Sequence, residues 1–293
     1  IDESGSVARN MDRNRKYYSE RKGRDPKVAG IDFEGLLRFS KKLLLYFEKE
    51  GYFQKSLGFT CVDQGFIPGE FGHDLEGAVF LKLGKSGLTP IQSKIEAYSD
   101  EDLFDMLELL YDHCAKPIGG YFHDWNDCGW HRDAFDLNAG RKEFREKFNE
   151  LLSIYGDGFE LSNDGEVLEF APTGLEGLFE AELPDHDPDN VEKRIEAARS
   201  KFRRHHASLD DRREALRELA DVFEFLRPKL KAVLSKDDES DLFNIANNFG
   251  IRHHNQRQKT DYDKPIWYSW VFYFYLATLH ASLRLISKRE KSE

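Results

Sequence analysis

Cysteine is scarce: Cys61, Cys114 and Cys128 are the only three in 293 residues. Three thiols cannot build a disulfide framework in a chain this long, which points to a reducing, cytoplasmic compartment. A charged-then-apolar leader is also missing. The sequence opens at Ile1 rather than Met, so an upstream stretch is expected to have been removed. There is no internal repeat and no low-complexity tract; with 40% hydrophobic and 33% charged residues, wholesale disorder and collagen-like chains are excluded. Positive charge is in deficit, 43 Lys and Arg against 54 Asp and Glu, for a net −11. That argues against a general DNA-coating protein but leaves local basic patches open. Phosphate-loop chemistry is not expected either. Gly69-x-x-Gly72 lacks the Lys-Ser/Thr ending, and Gly84-Lys-Ser-Gly87 lacks the upstream glycine. Neither a G-x-S-x-G elbow nor an H-E-x-x-H helix occurs. Acidic pairs such as Glu101-Asp102 sit at helix starts, where the helix dipole accounts for them.

What the chain does have is aromatic residues: 23 Phe, 12 Tyr and 4 Trp. Its length supports one large domain or two ordinary ones. Residues 1–30 read as a basic lead-in, carrying Arg9, Arg13, Arg15, Lys16, Arg21, Lys22 and Arg24. Residues 31–183 read as an α+β region that serves as a sensor or partner-binding domain. Leu36, Leu37, Phe39, Leu43, Leu44 and Phe47 make a helical stripe stopped by Gly51. Short strands and loops are expected over 52–95, and Ser99 to Asp102 resembles a capping box opening the next helix. Residues 117–140 lack periodicity and read as a structured loop, followed by a helix over 141–155. Phe159 to Phe170 spells a β-hairpin around Asn163-Asp164-Gly165.

Pro184 to Asn190 marks the expected domain boundary, and 184–293 reads as an all-α helical bundle. Val191, Ile195, Ala198 and Phe202 form one stripe; Leu216, Leu219, Phe223, Leu226, Leu230 and Val233 form a second. Leu242, Ile245, Ala246 and Phe249 form a third, and Pro265 opens a fourth helix. Ile266 to Leu283 is 18 residues without formal charge, the length at which a membrane span is considered. Its tyrosines and tryptophans fill the first half rather than the two ends, so the centre of a bundle or dimer is the better expectation. No membrane association is expected.

Three groups of residues carry possible chemistry. His113, Cys114, His123, Cys128 and His131 are the residue types zinc takes, and Cys128-x-x-His131 has a chelating spacing. Only one close pair is present, and Cys114 continues a stripe with Leu107 and Leu110, so a core role competes. Zinc binding by His113, His123, Cys128 and His131 stays open; no metal or cofactor is assigned. Second, Arg203, Arg204, His205 and His206 end a helix within residues 193–217, where nine bases and four acids make 9 − 4 = +5. This run is expected to bind nucleic acid, against a plain alternative of cations placed at a helix C-terminus. Third, Arg252, His253, His254 and Asn255 lie before the aromatic helix. Arg can stabilise developing charge on phosphate and His can move a proton, which suits metal-independent phosphodiester cleavage. A decorated helix cap is the alternative.

Tyr17-Tyr18-Ser19-Glu20-Arg21-Lys22-Gly23, followed by the helix beginning near Asp32, is similar to the start of the N-terminal domains of AbiJ-type abortive-infection proteins. The helical third, with Asn247 to Asn255 and the aromatic helix, resembles the HEPN-type domains that end many abortive-infection proteins. The resemblance implies antiviral defence in bacteria and a four-helix bundle that forms a homodimer, cuts RNA without a metal and works with a defence-system partner. The family motif runs Arg, a polar residue, then His after four to six intervening residues. Arg252 and His253 match the first two places. Arg257, Gln258 and Lys259 stand where the distal His should fall, and His254 is too close. Either a variant site uses His253 or His254, or the bundle is a degenerate, non-catalytic interaction or regulatory domain.

Overall fold

A computed structural model of the chain describes residues 18–23, 30–172, 174–184, 186–248, 251 and 262–292, in two units, 1–159 and 160–293. In the first unit, α1 (Tyr18–Arg21) is a single turn within the basic lead-in. Residues 1–17 and 24–29 lie outside the described residues. Asp32 opens α2 (Phe33–Lys49), its carboxylate accepting the Gly35 amide at 2.8 Å and satisfying an orphan donor of the first turn. The short α3 (Gln54–Leu57) leads into an antiparallel hairpin, β1 (Phe59–Cys61) with β2 (Gly65–Ile67), in which Cys61 faces Gly65. Then come α4 (Leu75–Leu83), α5 (Ile91–Lys94) and α6 (Asp100–His113). The capping box expected at Ser99 is present, with Asp102 at its third position.

The structured loop expected over residues 117–140 contains regular strands. They form two nested antiparallel pairs: β3 (Lys116–Pro117) with β6 (Phe135–Asp136), and inside them β4 (Tyr121–His123) with β5 (Gly129–His131). Strands of two or three residues are too short for an alternation of period two to register. Next, α7 (Leu137–Leu152) starts on Asp136, whose side chain accepts the Ala139 amide. The core of this unit lies where α2, α6 and α7 meet. Phe47 sits 5.1 Å from Phe144, which sits 4.4 Å from Phe148, and Leu36, Leu103, Met106 and Leu107 are fully buried around them. Each such side chain removes roughly 1.5–3 kcal/mol worth of apolar surface from water.

The second unit begins at the expected hairpin, β7 (Phe159–Leu161) with β8 (Val167–Glu169), so the boundary falls between Phe159 and Glu160 instead of at Pro184 to Asn190. The reason is local ion pairing. The hairpin is tied to the end of a helix in the bundle by arginines whose partners a linear reading does not show. After α8 (Glu176–Glu180), Asp187 caps a wide helical turn over Pro188–Glu192 that runs into α9 (Lys193–Arg203). Then follow α10 (Leu209–Leu230), α11 (Lys236–Asn248) and α12 (Lys264–Glu290). Ser208 and Asp211 form a second capping box, and Asp263 caps α12 with Pro265 in its first turn.

The first two expected stripes and Leu242 of the third form one core, while Phe249 lies outside the described residues. Val191, Ile195, Phe202, Leu216, Leu219, Phe223, Leu226 and Leu230 meet Tyr268, Phe272, Tyr275, Leu279 and Leu283 of α12. Phe202 and Phe272 stack at 3.9 Å, 7° from parallel. This unit is thus mostly helical with one small hairpin, rather than all-α. No described helix is long and apolar enough to cross a membrane. The uncharged run of α12 turns one side inward instead, while Ile266, Trp267, Trp270 and Leu285 remain exposed.

Candidate metal centre

Cys61, His123, Cys128 and His131 each bring one donor atom into a cluster whose members all lie within 4.8 Å of one another. Two hairpins deliver them. Cys61 ends β1, His123 ends β4, Cys128 closes the turn after β4, and His131 ends β5. Because side chains alternate along a strand, Phe59 and Cys61 share one face of the first hairpin. Tyr121, His123 and His131 likewise share one face of the second. Phe59 packs against the His131 ring at 4.7 Å.

The turn carrying Cys128 depends on unusual backbone. Asn126 and Asp127 adopt left-handed φ of 48° and 54°, a region Asn and Asp enter more readily than other side chains. The Cys128 amide then donates to the Trp125 carbonyl at 3.1 Å. Gly120 has φ 135°, and a Cβ there would lie 2.2 Å from the His131 carbonyl oxygen, so only glycine lets β4 begin so close to β5. On the other edge of β5, Gln54 donates to the Trp130 carbonyl and accepts from the Arg132 amide, both at 2.8 Å. One amide side chain of α3 thereby substitutes for a neighbouring strand.

Within the cluster, Cys61 Sγ lies 3.8 Å from His123 Nδ1, and Cys128 Sγ lies 3.1 Å from His131 Nε2. Donors around a tetrahedral zinc, with Zn–S near 2.3 Å and Zn–N near 2.05 Å, should stand roughly 3.3–3.8 Å apart. The far ring nitrogens also have partners. His131 Nδ1 is 2.9 Å from the Tyr121 hydroxyl, and His123 Nε2 is 3.3 Å from an Asp63 carboxylate oxygen. A metal-bound imidazole donates its remaining N–H in this way, which fixes ring orientation and raises basicity. Cys61 and His131 are buried, while Cys128 and His123 are partly exposed. Two thiols and two imidazoles are the donors zinc selects.

Of the residues considered from spacing, His123, Cys128 and His131 come together, and His113 and Cys114 do not. The Cys114 thiol is buried against α7, donating to the Gly140 carbonyl at 3.6 Å, and burial pushes its pKa up, away from the thiolate. The His113 ring packs on Phe71 and faces Glu70; burial, reinforced by Lys82, lowers its pKa despite that carboxylate. The fourth donor is Cys61, which lies on a separate hairpin 62 positions before His123 in the chain. The available signal was subtraction: once Cys114 belongs to the helical stripe, Cys61 and Cys128 are the two cysteines left to join His123 and His131.

The other two groups have different settings. In the second unit Arg203 pairs with Glu160 at 2.7 Å and donates to the Glu169 carbonyl at 2.7 Å. Arg204 pairs with Glu166 at 2.6 Å, and His205 Nδ1 faces Glu169 at 3.0 Å. The adjacent His206 has a left-handed φ of 54°. These contacts hold the β7–β8 hairpin on the end of α9, so much of the +5 charge is answered locally. Arg252, His253, His254 and Asn255 lie outside the described residues. The residue before them, Ile251, is fully buried, and its carbonyl accepts from Arg217 Nε at 2.8 Å. In comparisons with protein-family models, curated proteins and solved structures, nothing matches this chain.

Proposed function

We propose that the N-terminal unit is a zinc-organised recognition module in which Cys61, His123, Cys128 and His131 hold one Zn²⁺. The observation that carries this reading is the convergence of four zinc-type donors, with Asp63 and Tyr121 on the outer nitrogens of both imidazoles. Four protein donors complete a tetrahedron, so the metal's role is structural: it ties two hairpins that have little apolar core of their own. A reducing, cytoplasmic setting suits the two thiolates. Metal analysis of protein purified from zinc-supplemented cells should give one zinc per chain. Substoichiometric zinc, unchanged in Cys61→Ser and Cys128→Ser variants, would falsify the reading.

A second reading concerns the helical unit: a HEPN-like bundle that acts on RNA in bacterial defence, either as a metal-independent endoribonuclease or as a non-catalytic regulator. It rests on the resemblance of the helical third and on the bundle core shared by α9, α10 and α12, while Arg252, His253, His254 and Asn255 lie outside the described residues. The exposed row of Ile266, Trp267 and Trp270 on α12 suits a second copy of the chain. The local pairing of Arg203, Arg204 and His205 weakens the part of this reading that has them steer RNA. Cleavage of cellular RNA by the wild type and not by Arg252→Ala supports the enzyme; intact RNA with both supports the regulator.

A further inference from the structure

We propose that the outer face and tip of the β4–β5 hairpin form a docking surface for a basic polypeptide segment, an inference that rests on the zinc reading because the same hairpin carries three of the donors. Phe122, Trp125 and Trp130 are 54, 63 and 47% exposed within nine residues. Large aromatic side chains gathered at a surface mark interaction sites. The register explains how they stay out of the core. Tyr121, His123 and His131 share the metal side, whereas Phe122 and Trp130 face each other across the other side, with ring centroids 5.7 Å apart and nearly perpendicular.

Charge selects the partner. Between Tyr121 and Asp133 there are three carboxylates, Asp124, Asp127 and Asp133, all exposed, and one cation, Arg132. That balance repels a phosphate backbone and attracts lysine and arginine. Arg132 already occupies one such position: its guanidinium lies 4.3 Å from the Trp130 ring centroid, which demonstrates that this surface stacks a cation. An incoming arginine would lay its guanidinium on Phe122 or Trp125 and reach Asp124 or Asp127 with its N–H groups. The zinc keeps the hairpin folded, so the rings are presented in place rather than collapsing together, which lowers the ordering cost of binding.

The test is fluorescence anisotropy at low salt with a labelled peptide of Arg-Gly repeats, a matched Glu-Gly peptide and a single-stranded RNA, with zinc measured on every sample. The arginine peptide should bind and the other two should not. The Phe122→Ala/Trp125→Ala variant, which leaves the charge untouched, should bind about tenfold more weakly at unchanged zinc content. Asp124→Asn/Asp127→Asn should weaken binding and flatten its salt dependence. The proposal is overturned if fully zinc-loaded protein does not bind the arginine peptide or binds the RNA more tightly. Equal binding by the aromatic variant overturns it too, because the peptide would then sense only the net charge of −11. Zinc-free protein that still binds through the rings would defeat the metal reading alone.

Discussion

Two histidine-bearing groups among the described residues have different surroundings. Around His123 and His131, two sulfurs and two ring nitrogens converge, and the nearby carboxylate of Asp63 sits on the outer side of a ring. Around His205, carboxylates face the basic side chains directly: Glu160 for Arg203, Glu166 for Arg204 and Glu169 for His205. The first arrangement gathers lone pairs, which favour a shared positive ion. The second is neutralised by its neighbours and holds a hairpin on a helix. Residue type is similar in the two places. What differs is which groups tertiary folding brings opposite them.

On the zinc reading, removing the metal should separate the two units most sharply. Structural zinc contributes on the order of 10 kcal/mol in small metal-folded peptides. A strong chelator, or Cys61→Ser/Cys128→Ser, should therefore open amide exchange across β1–β2 and β4–β5 while α10 stays protected. Uniform exchange changes through both units would break the distinction. A core substitution should do the converse. Phe272→Ala deletes the ring stacked on Phe202 and should cost about 3–5 kcal/mol in the helical unit, with zinc content unchanged.

Smaller effects sharpen the electrostatic half of the comparison. Arg203→Ala leaves Glu160 and the Glu169 carbonyl without this donor and should cost about 1–3 kcal/mol in thermal or denaturant unfolding. If the same variant instead lowers RNA affinity with no loss of stability, the run is an interface rather than a brace. The smallest effect belongs to Glu143 in the first unit. Burial would raise its pKa, but hydrogen bonds from Tyr52 and Lys116 outweigh this and hold it below the ordinary carboxylate value. A folded-state pKa below the unfolded one contributes stability that is full above the unfolded value and is lost as pH falls through the folded one. Glu143→Gln should flatten that acid limb and cost about 1 kcal/mol near neutral pH, read from unfolding curves across the acid range.

Much of the helical architecture was legible because its determinants are local. The stripes from Val191 to Phe202 and from Leu216 to Leu230 repeat every three or four residues, and each lies on one buried face. Asp32, Ser99 and Asp263 cap helices within three residues of themselves. The candidate metal centre was half legible. Cys128-x-x-His131 is a close pair, but Cys61 enters from another hairpin, and His113 lies outside the cluster. The pairing of Arg203 with Glu160 spans the whole β7–β8 hairpin and α8, so the charge run looked exposed.

By itself, the sequence determined the apolar faces of α2, α6, α9 and α10 and that Phe159 to Phe170 doubles back on itself, but not α4 (Leu75–Leu83) and α5 (Ile91–Lys94), which lie in a stretch that reads as short strands and loops. Those choices depend on neighbours within a few residues, where hydrogen bonding and side-chain spacing act directly. Tertiary structure alone decided that Cys61 joins His123, Cys128 and His131 while Cys114 is sealed in the core, and that Arg203 and Arg204 are held by glutamates. Sulfur, imidazole and guanidinium take their chemistry from atoms within a few ångströms. Distance along the chain carries little information about that.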